Sequence, residues 1–260
     1  MNLTQAQLDV WLLQYFLPFV RIAGLLMVAP IFGARSVPAR IRLMLALLVT
    51  VIVAPLLPPP QPMALFGAQW WMTIVQQLLL GITMGLILQV AFEGVMMGGE
   101  LIAYSMSLSF AQMADPQRGS SSPVISQFLI TMAMLLFLAM NGHLMVLELL
   151  ADSFRTLPLH ADALSGERFR TLALFGGQIF SGGLRIALPV MIALLTVNLA
   201  FGVMSRAAPS LNLMSVGFPA ALLAGLLLMQ FSLPGLQSGF EALLKEAWAL
   251  LSALVGGSDV

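Results

Sequence analysis

The chain has 260 residues, of which 60% are hydrophobic and 8% charged, with a formal net charge of zero and no cysteine. A soluble domain carries about 25% charged residues, so this composition, with a mean hydropathy of +0.98, excludes a water-covered globule and defines an integral membrane protein or part of an apolar assembly. Neutrality argues against a nucleic-acid partner, which needs a basic face, and the lack of cysteine excludes disulfides and thiolate metal sites.

In chain order, the first residues (MNLTQAQLDVWLLQYF) lack the basic start and small-residue cleavage site of a signal peptide, so the first apolar segment is expected to be retained. Apolar segments follow at 10–28, 41–57, 70–92, 94–110, 124–150, 171–203 and 211–231. A crossing needs about 20 apolar residues, and these segments fall on both sides of that length. The run PLLPPPQP (55–62) predicts a stiff extended connector. Arg35, Arg40 and Arg42 follow the first segment, while 58–69 has no charge. This predicts a cytoplasmic arginine loop and an outer proline connector. The 171–203 stretch predicts a hairpin or bent helix, with Gly176, Gly177, Gly182, Gly183 and Pro189 as break points. At 240–254, Phe240, Leu243, Leu244, Ala247, Trp248, Leu251 and Leu254 share one face of a helix, with Glu241 and Lys245 paired off it. That amphipathic helix docks either on its own bundle, at the membrane interface or on a partner.

Catalytic chemistry is not visible. Lys245 is the one lysine, no phosphate-binding loop is present, and no serine sits in a nucleophile elbow. His143 and His160 lack partners at metal-ligand spacing and are expected to be hydrogen-bonded to backbone. No enzyme activity, cofactor or metal is expected.

Three features do not fit an ordinary bundle. Arg21, Glu93, Glu100, Glu148 and Arg185 lie within the apolar runs, where each would cost about 2.5–3.5 kcal/mol facing lipid at a helix centre. They serve either ion pairing and snorkelling or an ion path, with the structural reading weighing more. Gly81 with Gly85, and Gly94 with Gly98, place small residues one helical turn apart for close packing. Gln76, Gln77, Gln89 and Asn198, with Pro18, Pro189 and Pro219, suggest bent helices packed mainly against protein. The 18 methionines, including Met96, Met97, Met106 and Met113, read as core filler; a deformable pore lining is the sharper alternative.

The central stretch MSLSFAQMADPQRGSSSPVIS (106–126) is polar and far longer than the ~4–6 residues a connection needs. From its residues alone it is an exposed loop.

Four stretches together are similar to the export-gate family of type III secretion, FliR and its virulence counterparts. They are APIFGARSVPARIR (29–42), SLSFAQMADP (107–116), NGH with SFRTLP (141–143 and 153–158), and LPVMIALLTVNLAFGVMSRAAPSLNLMSVGFP (188–219). The resemblance spans nearly the whole chain as a single domain, 1–260. It implies an all-α fold of hydrophobic hairpins with Gly and Pro breaks, packed into a larger helical export gate at the centre of the flagellar basal body in the inner membrane. It implies FliP, FliQ and FlhB as partners and unfolded axial proteins as substrates. It also implies that the central loop, 110–122, plugs the channel, which assigns gating to Phe110, Gln112, Met113, Asp115, Pro116 and Gly119. Packing in the assembly would fall to Gly81, Gly85, Gly94, Gly98, Asn198 and Arg206, with Arg206 capping its helix or meeting a partner carboxylate. The rival readings are the equivalent virulence subunit and, from a different class, a stand-alone secondary transporter, which would be expected to show paired repeats.

Overall fold

Leu, Ala, Met and Val dominate the chain between its Gly and Pro marks, and in an apolar environment a helix is the form that satisfies every backbone polar group within one segment. The computed structural model describes residues 5–34, 36–58, 63–108, 124–157, 166–207 and 213–256. Among them every regular element is helical: α1 (Gln5–Val28), α2 (Ala39–Val53) running into a single 3-10 turn at Ala54–Leu56, α3 (Ala68–Ser105), α4 (Val124–Ala139), α5 (Gly142–Thr156), α6 (Gly166–Phe175), α7 (Gln178–Ala207) and α8 (Leu213–Val255). Among the described residues five spans are long and apolar enough to cross a membrane, rising to six if the α4–α5 pair forms one.

The helices are fewer and longer than the apolar segments suggest. Segment 70–92 and residues 94–105 of the next segment form one helix of 38 residues, because neither Glu93 nor Gly94 interrupts it. A helical glycine costs only about 1 kcal/mol relative to alanine, and Gly94 lies buried in close packing. Residues 213–231 and the amphipathic stretch 240–254 likewise join into α8, which carries Pro219 and Pro234 inside it. Conversely, 124–150 divides at Met140–Asn141, where Asn141 takes a left-handed φ of 58°. The 171–203 stretch breaks at Gly176–Gly177 alone. Gly182, Gly183 and Pro189 are not break points: all three lie inside α7, the two glycines in packing contacts. The proline run begins as a helical turn and turns extended at Leu57 (φ −84°, ψ 151°).

The chain divides into two compact units. The first holds Met1–Gln89, Phe137–Gly176 and Glu246–Val260; the second holds Val90–Leu136 and Gly177–Lys245. In the first, Gln14 Nε2 donates to the Ala54 carbonyl at 3.4 Å, so α1 and α2 run antiparallel. Phe16 stacks on Trp70 and Gly85 meets Ala29, so α1 and the first half of α3 run parallel. Leu13, Leu17, Leu25, Leu80, Met84 and Ile87 fill this core. In the second unit the core gathers Phe92, Val95 and Ile102 of α3, Leu129 of α4, Ile186 and Val190 of α7, and Phe240 and Leu243 of α8. Phe92 and Phe240 meet edge to face at 5.1 Å. The amphipathic face of 240–254 is therefore turned into its own bundle rather than left for a partner: Phe240, Leu243, Leu244, Ala247, Leu251 and Leu254 are all buried.

Candidate functional site

Arg21 is the largest fully buried side chain, at 0% exposure. Its Nε donates to Gln77 Oε1 at 2.7 Å, one terminal nitrogen donates to the Ser153 carbonyl at 2.8 Å and to Ser153 Oγ at 3.1 Å, and the other donates to the Leu157 carbonyl at 2.9 Å. The guanidinium also lies 4.3 Å from the Phe154 ring centroid, a cation–π distance. The last carbonyls of a helix have no intrahelical partner and carry partial negative charge. Arg21 adds donors at the end of α5, to the Leu157 carbonyl and to the Ser153 carbonyl beside the Leu157 N–H it already accepts, and, through Gln77, ties that end to α3. Among the described residues no carboxylate pairs with it, so its charge is balanced by helix-end carbonyls. This is an architectural use of an intramembrane charge.

Close backbone approach makes the cluster possible. A Cβ on Gly81 would collide with the Arg21 carbonyl oxygen and lie 2.9 Å from Leu25 N, and one on Gly24 would lie 2.8 Å from the Leu78 carbonyl. Gly85 completes this α1–α3 seam against Leu25, Val28 and Ala29. A second seam runs in the second unit: a Cβ on Gly98 would stand 3.1 Å from the Gly183 carbonyl, one on Gly183 would stand 2.9 Å from the Gly94 carbonyl, and Gly182 is filled by Leu243. The four glycines paired by their sequence spacing thus lie at helix contacts. The glycine that faces Gly94 and Gly98, Gly183, was not legible as such, because a partner glycine on a distant helix leaves no spacing to read.

Met106 is fully buried and occupies the space beside Gly225, with its Cγ 2.5 Å and Sδ 2.8 Å from where a Cβ would sit; Met97 packs over Gly183. Both fill gaps in the core of the second unit. Of the remaining charges, Glu93 and Glu100 are half-buried on α3, whereas Glu148, Arg185 and Arg206 are exposed. Arg206 stands in the last turn of α7, where a cation is favoured by the helix dipole. Asn198 Nδ2 reaches the Ser105 carbonyl at 3.4 Å, linking α7 to the end of α3. His143, in the first turn of α5 after the left-handed Asn141, departs from the expected backbone bond: among the described residues its buried Nδ1 has no hydrogen-bond partner. Ser126 Oγ, passed over in the sequence, is also buried without a partner, under Gly99. Phe110, Gln112, Met113, Asp115, Pro116, Gly119 and His160 lie outside the described residues. Among the described residues no group of His, Asp and Glu side chains is placed to hold a metal.

An outward face remains on α7. Leu184, Leu188, Ile192, Leu195, Leu199 and Val203 are exposed at helical spacing along it, and Arg185 and Arg206 share that exposed side.

Long apolar helices, glycine seams and a buried arginine bound to helix-end carbonyls define an all-α membrane protein. Residues 12–247 match the family described as bacterial export proteins, family 1. The chain belongs to that family. Flagellar biosynthetic protein FliR of Pectobacterium carotovorum subsp. carotovorum is 42% identical over 94% of this chain and 94% of its own length. FliR of Escherichia coli K12 is 40% identical over 98% of this chain and 97% of its own length. FliR of Bacillus subtilis 168 is 31% identical over 79% and 80%.

Proposed function

We propose that the chain is a subunit of the flagellar type III protein-export gate, one of the pieces that form and gate the channel for unfolded axial proteins across the inner membrane. The observation that carries this reading is the match of residues 12–247 to the bacterial export family, with FliR relatives aligned over nearly the whole chain. The row of exposed leucine, isoleucine and valine on α7 supports it as a face that a neighbouring subunit can cover.

FliP and FliQ are the subunits assigned to such faces, with FlhB as an associated partner. The chain performs no catalytic step of its own; energy reaches the gate through partners, from the export ATPase and the proton motive force. Closure falls to residues 110–122, with Phe110 and Met113 filling the lumen, Asp115–Pro116 setting a turn and Gly119 supplying freedom. Gln112 lies in the same segment. The flagellar reading is preferred to the virulence one because the relatives named above are flagellar proteins. A transporter reading gains nothing from Arg21, whose described partners are neutral.

A photo-crosslinking amino acid at Ile192 or Leu195, in cells assembling flagella, tests the reading. Protein adducts to other gate subunits are expected at both positions. Labelling of lipid alone would remove α7 as an assembly face.

A further inference from the structure

The end of α3 is held by more than its own helix. Ser107 has a left-handed φ of 61°. Its N–H donates to the Tyr104 carbonyl at 3.0 Å, and the next N–H, of Leu108, reaches back to the Ala103 carbonyl at 3.1 Å. Those two bonds make a Schellman stop, whose left-handed position is usually glycine because a side chain there is strained. A serine persists in it only where the surroundings over-determine the turn. With fewer alternatives than glycine, serine also holds the exit direction more narrowly.

The surroundings come from α7 and α8. Met106, next to the strained serine, is fully buried. Its side chain fills the notch at Gly225 of α8, where a Cβ would lie 2.5 Å from its Cγ and 2.7 Å from its terminal methyl. Asn198 of α7 donates to the Ser105 carbonyl at 3.4 Å, one of those that a helix end leaves without an intrahelical partner. Ser105, Met106 and Ser107 are each fixed by a different device: a side-chain cap, a packed notch and a backbone turn. The far end of the central stretch is held on the same helix, because a Cβ on Gly99 would stand 2.6 Å from the Cα of Ser126 in the first turn of α4.

We propose that Met106, Ser107 and Asn198 are positioning residues: together they fix the end of α3 on α7 and α8, and this root stays in place while protein moves through the gate. The proposal rests on the closure role given above to residues 110–122, and adds that closure starts from a stationary point. Three separate devices are more than a helix stop requires, since the backbone turn already satisfies helix-end carbonyls. What the cap and the notch add is a fixed position relative to α7 and α8. A segment that must return to one place after each substrate needs such an origin.

The cysteine-free chain permits a direct test. Met106→Cys with Gly225→Cys brings two Cβ atoms within about 4 Å, from the 2.5 Å contact and one bond of ~1.5 Å, which is disulfide range. In cells assembling flagella, the oxidised pair is expected to match the reduced pair in export and in ion tightness. Met106→Ala, which empties the notch, is expected to raise dye-reported ion leak several-fold at wild-type abundance, and Met106→Leu, which refills it, is not. If Met106→Ala does not accumulate, Asn198→Ala, at an exposed position, is read in its place. Export blocked by the disulfide and restored by reductant would mean that the end of α3 moves. A tight membrane in the alanine variant, beside leak when 110–122 is exchanged for a Gly/Ser linker, would mean that the root does not govern closure. Either outcome overturns the proposal and leaves the closure role standing; no leak in the linker exchange itself overturns both.

Discussion

Arg21 and Gln77 join at 2.7 Å through Nε and Oε1, one turn before the point where Gly81 lets the two helices touch. The hydrogen bond and the glycine seam depend on each other. The seam sets the distance the side chain must cross, and the bond gives the buried guanidinium one of its few acceptors.

Replacing Arg21 by methionine removes one donor each from Gln77 Oε1 and from the Ser153 and Leu157 carbonyls, although the Ser153 carbonyl keeps the Leu157 N–H. Each buried unsatisfied acceptor costs about 1–3 kcal/mol, offset in part by relief of the desolvated charge. A net loss of roughly 2–3 kcal/mol is expected on these magnitudes. Arg21→Lys should recover only part of it, since an ammonium cannot fork to both carbonyls. Chain abundance in membranes and thermal unfolding of the purified chain would measure this; wild-type stability in Arg21→Met would refute the architectural role.

Gly81→Ala should destabilise although alanine is the better helix former. The intrinsic gain is about 1 kcal/mol, but the new methyl meets backbone atoms of Arg21 and Leu25 that cannot rotate away, and overpacking costs about 1–3 kcal/mol. Gly235→Ala is the matched control, because its Cβ would meet only Ser232 Oγ at 3.8 Å. The same unfolding measurement should give opposite signs for the two variants. Equal signs would mean that α1 and α3 are not in backbone contact.

Met106→Leu and Met97→Leu are expected to leave the membrane ion-tight, at a cost below about 1.5 kcal/mol for a volume-conserving change. Their side chains fill core space beside Gly225 and Gly183. Ion leak in either variant, followed with a potential-sensitive dye, would restore the idea of a methionine lining.

Exchange of residues 110–122 for a short Gly/Ser linker should make cells leak small ions while flagellar export continues in part. Dye depolarisation and swimming-plate diameter report the two separately. A tight membrane with lost export would make the segment a docking element, and the closure role would fall.

Legibility differed sharply between features. Gly81 with Gly85, and Gly94 with Gly98, announced close packing through spacing, because helical periodicity alone places the members of each pair on one face. Helix continuity was less readable: Glu93–Gly94 and Pro234 look like breaks, yet α3 and α8 run through them. Proline in a helix interior costs ~3 kcal/mol or more; burial along α8, from Leu236 to Val255, is large enough to offset it. His143 shows the limit from the other side, since nothing local indicates that a buried imidazole nitrogen will go without a partner.

By itself the sequence determined the membrane class, the all-α fold and the export family, because apolar content, helical period and an ordered set of motifs are properties of a chain read in one dimension. Only the tertiary structure decided what its buried polar groups are for. The acceptors of Arg21 lie 56, 132 and 136 positions away, and a charge buried without a carboxylate takes its role from whichever helix end is folded against it.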